Sequence, residues 1–323
     1  MQSKHADLPQ LQGRLFMTDG GLGTTITFHH GMELPEFASF LLLSHERGRA
    51  ALQHYYASYA ELARTHATGL VLDSPTWRAN RDWGETLGYD AHALFQANVQ
   101  SIALLQNIRS HYATPANPIV IGGNVGPRGY GYRLSRKMIP REATDYHRRQ
   151  IETLVDAGVD QISALTMNYP QEAIGIALAA RSSAIPAIVS FTVETDGRLP
   201  SGESLPDAIA RTDDCTGGYP AYYMVNCAHP GHFEPILRDS DQCRERIRGL
   251  RVNASCRSHA ELDNCGKLDC GDPEALGRAH SDLLPLLPQL AVVGGCCGTD
   301  IRHVDAIYRH CSDANQRSAV AKA

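Results

Sequence analysis

The chain has 323 residues and carries 30 Lys and Arg against 35 Asp and Glu, a net charge of −5. So mild an acidity gives no electrostatic footing on nucleic acid or on an anionic membrane surface, and no apolar stretch approaches the ~20 residues of a membrane span. The opening MQSKHADLPQLQGR lacks the apolar core of a secretion signal, so the expected address is the cytoplasm.

Short β-rich apolar runs recur along the chain. In order they are RLFMTD (14–19), LVLDSPT (70–76), PIVIGGNVG (118–126), VDQISALT (159–166), AIVSFTV (187–193), YYMVNCA (222–228), LRVNAS (250–255) and LAVVGGCC (290–297). Helical patterns lie between them: an Ala-rich amphipathic stretch over 48–69 ending at Gly69, another over 143–158 ending at Gly158, and further ones over 171–184 and 273–287. Strands alternating with helices predict a parallel sheet. Eight such units predict a (β/α)8 TIM barrel in one domain over 1–312, with an open doubly wound sheet as the alternative. No linker, internal repeat or low-complexity block divides the chain, and 313–323 reads as a frayed tail.

In a barrel of this kind the active site lies at the C-terminal ends of the strands. Polar and reactive residues collect there: Asp19 with GGLGTT after the first run, Asp73, Thr76 and Trp77 after the second, Asn124 after the third, Thr166 and Asn168 after the fourth. Glu194, Asn226 with Cys227, Asn253, and Cys296 with Cys297 follow the remaining four. The nine cysteines all fall between 215 and 311, which suits reduced thiols used for metal or catalysis better than a secreted disulfide framework. The sixth and eighth strands are near neighbours in a barrel, so Cys227 can approach the Cys296–Cys297 pair. Adjacent strand residues point to opposite faces, so both thiols reach one point only if the backbone bends. Gly294, Gly295 and Gly298 are the residues that permit a bend. Three thiolates with an open fourth position are the pattern of a catalytic zinc site. Buried core cysteines and a disulfide between Cys296 and Cys297 are the other readings of the same residues.

TDGGLGTT (18–25), GGNVGPRG (122–129), VNCAHP (225–230) and GGCCGT (294–299) together resemble the homocysteine S-methyltransferase family, in order and over about residues 12–310. The resemblance implies a (β/α)8 barrel and Zn2+ held by Cys227, Cys296 and Cys297. It implies substrate contacts from Asp19 and Gly20, with Asp19 the counterpart of the aspartate that holds the homocysteine ammonium. It also implies Thr76 near the amino-acid carboxylate. Asn226 reads as orienting the neighbouring zinc ligand. The expected reaction moves a methyl group from a sulfonium or quaternary ammonium donor, of the S-methylmethionine, S-adenosylmethionine or betaine type, to a zinc-bound thiol. Homocysteine giving methionine is the simplest case. No catalytic side chain is expected beyond the activated thiol of the substrate, and no cobalamin module follows the barrel, so transfer is expected to be direct. The partners are a small thiol and a small methyl donor. The sequence sets no oligomeric state; a homo-oligomer is compatible with it.

One departure is visible. Relatives commonly carry a glutamate at the end of the fourth strand; Leu165 stands there, which opens the alternative of a different small thiol as acceptor. Asp73 and Glu194 are candidate replacements. Trp77, Trp83, Tyr130 and Tyr132 read as packing or as a cage for a methylated cation. His229 and His232 read as helix-start residues or as a fourth ligand, with His29 and His30 similar. Cys256, Cys265 and Cys270 read as surface thiols or a second metal site. GGLGTT fails the dinucleotide fingerprint at Ile26. A zinc- or redox-sensing protein without methyl transfer is the remaining class.

Overall fold

A computed structural model describes residues 8–134, 136–263 and 266–322. Its strands are β1 (Phe16–Thr18), β2 (Gly69–Asp73), β3 (Ile119–Val125), β4 (Gln161–Met167), β5 (Ala187–Phe191), β6 (Tyr222–Asn226), β7 (Ile247–Val252) and β8 (Val292–Gly295). Every neighbouring pair is parallel, and Phe16 and Met17 of β1 pair with Val292 and Val293 of β8, which closes the barrel. The eight predicted strands are all present, and the open sheet is excluded by that closure. One main helix follows each strand: α1 (Glu46–Thr65), α2 (Ala91–Tyr112), α3 (Pro140–Asp156), α4 (Pro170–Ser182), α5 (Leu205–Thr216), α6 (Pro230–Asp239), α7 (Pro273–Ser281) and α8 (Ile301–Lys322).

One expectation needs correction: the seventh strand starts at Ile247, not at 250. Helix α8 runs on through 313–322; the stretch SDANQRSAVAK has no glycine or proline to stop a helix already under way. No helix of the described residues is long and apolar enough to cross a membrane.

The period of two along each strand separates two cores. Leu70 and Leu72 of β2 face the helices in the large outer cluster, together with Ile121, Val189 and Leu250. Val71 between them turns inward and packs with Phe16, Val120, Ile188, Tyr222, Met224 and Val292. Each fully buried side chain of this size stabilises by about 1.5–3 kcal/mol relative to exposure. Leu8 joins the inner group. Two residues further along, the inward positions become polar: Asp73, Ser190 and Asn226 are all buried. The inner apolar plug is therefore the floor on which a polar site stands, at the C-terminal ends of the strands.

Candidate active site

A cavity of about 390 Å³ opens at that end of the barrel, lined among others by Asp19, Gly20, Asn226, Cys227, Cys296 and Cys297. The ends of β6 and β8 bring the cysteines together. The three sulfur atoms lie within 4.8 Å of one another, the only such group of His, Cys, Asp and Glu among the described residues. Cys227 and Cys296 are joined as a disulfide, so the pairing conceived between the adjacent Cys296 and Cys297 is not the one formed. Reduction of that bond leaves three thiols converging on one point, a donor set fit for a soft or borderline metal ion.

Of the three glycines read as permitting the bend, only Gly298 takes a positive φ, and Cys227 bends as well. Cys227 itself is left-handed, with φ 54°, and Gly298 has φ 79°, whereas Gly294 and Gly295 do not adopt positive φ. Those two glycines serve close packing: a Cβ on Gly294 would overlap the Thr18 hydroxyl, and one on Gly295 the Thr299 hydroxyl. The strained Cys227 is held from both sides. Its N–H donates to the Arg251 carbonyl at 3.0 Å, and its carbonyl accepts from Asn253 Nδ2 at 3.0 Å.

Beside the cysteines lies an ion-pair trio. Arg251 of β7 donates from Nη2 to Asp19 Oδ1 and from Nη1 to Asp73 Oδ2 at 2.6 Å. All three are nearly inaccessible to solvent. Tyr55 of α1 donates to the other oxygen of Asp19 at 3.1 Å, and Tyr56 donates to the Asp73 carbonyl at 3.0 Å. Burial pushes the Asp19 carboxyl up to about 6, against the opposing pull of Arg251. Since the folded protein binds this proton more tightly than the unfolded chain, the group's contribution to stability falls as pH rises from 3.8 to about 6. Substrate binding that needs the charged trio is expected to follow the opposite course and weaken below pH about 6. An acid limb in kcat/KM near that pH, absent in Asp19→Asn, is the expected profile; a limb unchanged by the substitution assigns it elsewhere.

The Asn226 amide bonds residues of the neighbouring strands. Its Oδ1 accepts from the Thr166 N–H at 2.9 Å and the Ser190 hydroxyl at 2.6 Å, and its Nδ2 donates to Thr166 Oγ1 at 2.8 Å. It therefore ties β6 to β4 and β5, next in sequence to Cys227, and pins the bulge in β4 where Thr166 has φ 63°.

A homocysteine S-methyltransferase family profile matches residues 16–311. The chain belongs to the homocysteine S-methyltransferase family. It is 23% identical to homocysteine S-methyltransferase 4 of Zea mays, over 94% of this chain and 91% of that one. It is 22% identical to selenocysteine Se-methyltransferase of Brassica oleracea var. italica, over 92% and 89%. The crystal structure of the Escherichia coli homocysteine methyltransferase MmuM in its oxidized form superposes with a TM-score of 0.69 at 19% identity, covering 94% of this chain and 97% of that one. These matches make the chain an S-methyltransferase in class and give the barrel its family.

Within the homocysteine S-methyltransferase frame several sequence candidates fall differently. Thr76 does not line the cavity. It is fully buried, and its hydroxyl pairs with Ser74 Oγ and donates to the Asn124 carbonyl, both at 2.7 Å. Leu165 does line the cavity, presenting an apolar surface, while its carbonyl accepts from Trp77 Nε1 at 3.2 Å. Of its two candidate replacements, Asp73 is at the cavity and Glu194 is not. His229 caps α6 by accepting from the Gly231 N–H, and His232 bonds the Cys256 carbonyl; neither joins the sulfur group. Cys256 and Cys270 form no metal group among the described residues, and Cys265 lies outside them.

The sequence did not mark two residues that line the cavity, Arg251 and Arg78, or Tyr55, which bonds Asp19 from behind it. A lone arginine inside the apolar strand run GLRV was the available signal for the first. The tyrosine sits in an amphipathic helix where an aromatic residue reads as core, and nothing local marked it. Arg78 lies against the rings expected to cage a ligand, with its guanidinium carbon 4.2 Å from the Trp77 ring and 3.9 Å from Trp83.

Proposed function

We propose that this protein moves a methyl group from a sulfonium or quaternary ammonium donor to the thiol of a small acceptor, homocysteine giving methionine being the leading case. The convergence of the Cys227, Cys296 and Cys297 sulfurs within 4.8 Å, at the floor of the cavity, carries this reading. Zinc fits that donor set, and when bound it would supply the acceptor thiol in its ionised, nucleophilic form at neutral pH. The polypeptide's own work is positioning. A second hollow of about 200 Å³ shares Thr24, Phe37, Tyr132 and Cys297 with the main one, so Cys297 stands where two small molecules can meet. Asp19 and Asp73 face a single guanidinium, and Asp73 Oδ1 has no hydrogen-bond partner; when both carboxyls are ionised one negative charge is left over to favour an ammonium group. Transfer neutralises the donor cation and the thiolate together, so a low-dielectric pocket favours the charge-dispersed transition state over the charged reactants. A pool of reduced thiols suits a cytoplasmic setting.

Leu165 motivates a second reading, in which the same transfer serves another small thiol or selenol; one relative is a selenocysteine Se-methyltransferase. Family membership sets aside the sensing protein without methyl transfer. The reduced protein, supplied with zinc, is to be incubated with a panel of thiols and selenols against S-methylmethionine, S-adenosylmethionine and betaine, and products read by mass. Methionine from homocysteine, with kcat/KM above every other acceptor, is the expected result. Turnover only of another acceptor establishes the second reading, and none with any pair overturns both.

A further inference from the structure

The aromatic cluster at the cavity mouth is not vacant for a cationic ligand, because the chain's own Arg78 fills it. Its guanidinium lies between Trp77 and Trp83 and 5.4 Å from the centre of the Tyr130 ring. The residue is only 5% exposed, yet it lines the cavity. Its Nε donates to the Glu36 carbonyl at 3.2 Å and its Nη1 to the Gly129 carbonyl at 2.9 Å. Among the described residues no hydrogen bond engages Nη2 and no carboxylate is within ion-pair distance of it: Asp19 and Asp73 are taken by Arg251, and Glu36, which lines the same cavity, acts on it only from longer range. A buried cation without a counter-charge is costly, and proteins ordinarily pair it. Arg133 also lines the cavity, over the Tyr130 ring at 5.3 Å and again without an ion pair among the described residues. This side of the cavity therefore carries two arginines against the single carboxylate of Glu36, while the two aspartates are held by Arg251.

We propose that Arg78 receives the carboxylate of a substrate in this cavity, so that the enzyme selects amino-acid-type ligands by their acid group at the mouth. The inference rests on the methyl-transfer reading above for the identity of the cavity, though not for the chemistry of the contact. The aromatic rings then serve to hold Arg78 flat and dehydrated, not to cage the donor cation. The carboxylate can be that of the thiol acceptor or that of the methyl donor, and the two are separable by experiment. Burial lowers the guanidinium's pKa to about 10, which still leaves it charged at neutral pH.

The test compares each ligand with its decarboxylated counterpart: homocysteine with 3-aminopropanethiol, and S-methylmethionine with (3-aminopropyl)dimethylsulfonium. Binding of each is measured by calorimetry on reduced wild type, Arg78→Gln and Arg78→Lys, with KM for the same ligands where turnover occurs. A charge-assisted hydrogen bond predicts that Arg78→Gln weakens one carboxylate-bearing ligand about 10- to 100-fold. Its decarboxylated counterpart should change less than about twofold, and Arg78→Lys should recover part of the loss. The ligand that responds identifies the source of the carboxylate. Equal effects on both members of each pair, or no effect on either, overturn the proposal. Selective loss of binding in a protein that transfers no methyl group would overturn the proposed function and leave the Arg78 contact standing.

Discussion

Arg251→Met is expected to lower the unfolding free energy by about 3–5 kcal/mol at pH 8, the largest stability effect of any single change at the site. The guanidinium is shared by Asp19 and Asp73, each nearly solvent-inaccessible. Removing it leaves two buried carboxylates with no cation, and a buried unpaired charge costs far more than the pair contributes. The remedy open to the protein is to take up protons, so the penalty should shrink toward pH 5. Replacing all three members at once, as Asp19→Asn, Asp73→Asn and Arg251→Met, should recover most of the loss, because the uncompensated charges are gone. Urea unfolding at pH 5 and pH 8 measures both effects. A loss below about 1 kcal/mol, or one that does not depend on pH, would show that Arg251 is not the counter-charge that the buried trio requires.

How much of this was legible in the sequence follows from how local each feature is. A strand buried on both faces advertises itself as an apolar run, so all eight appeared, with ends displaced by a few residues. The cysteine trio was legible because Asn-Cys and Gly-Gly-Cys-Cys-Gly lie at strand ends that a barrel must gather. The trio around Arg251 was not, since its partners are 178 and 232 residues away in sequence, and only ring closure brings β1, β2 and β7 to face one another. The bend at Cys227 was missed for a related reason. Glycine tells where a positive φ is cheap, not where it occurs; tertiary contacts to Arg251 and Asn253 hold it at Cys227. Trp77 and Trp83 read in the sequence as packing or as a cage for a methylated cation. That the cation would be the neighbouring Arg78 required knowing the rotamer, which sequence does not carry.

Cys297→Ser and Cys227→Ser should each abolish stoichiometric zinc binding and reduce methyl transfer at pH 7 by at least about thirtyfold. The figure follows from acid–base chemistry: a free thiol with pKa about 8.5 is roughly 3% ionised at pH 7, and the thiolate is the nucleophile. The two variants separate metal binding from redox chemistry. Cys297→Ser retains the Cys227–Cys296 pair that forms the disulfide, whereas Cys227→Ser removes it. A metal role predicts equal losses in both; a redox role predicts that only Cys227→Ser responds to oxidant differently from wild type. Cys256→Ser, exposed and outside the sulfur group, should bind zinc as wild type does. The pH dependence of what activity remains is the sharper signature. With no metal to ionise the acceptor, the residual rate should climb close to tenfold per unit between about pH 6.5 and 8, following the free thiol, while the wild-type rate stays nearly flat there. Zinc content of reduced protein and these two profiles decide the matter. Full zinc retained in either variant, or a wild-type rate as steep as the variants', would remove the thiolate site from the reaction.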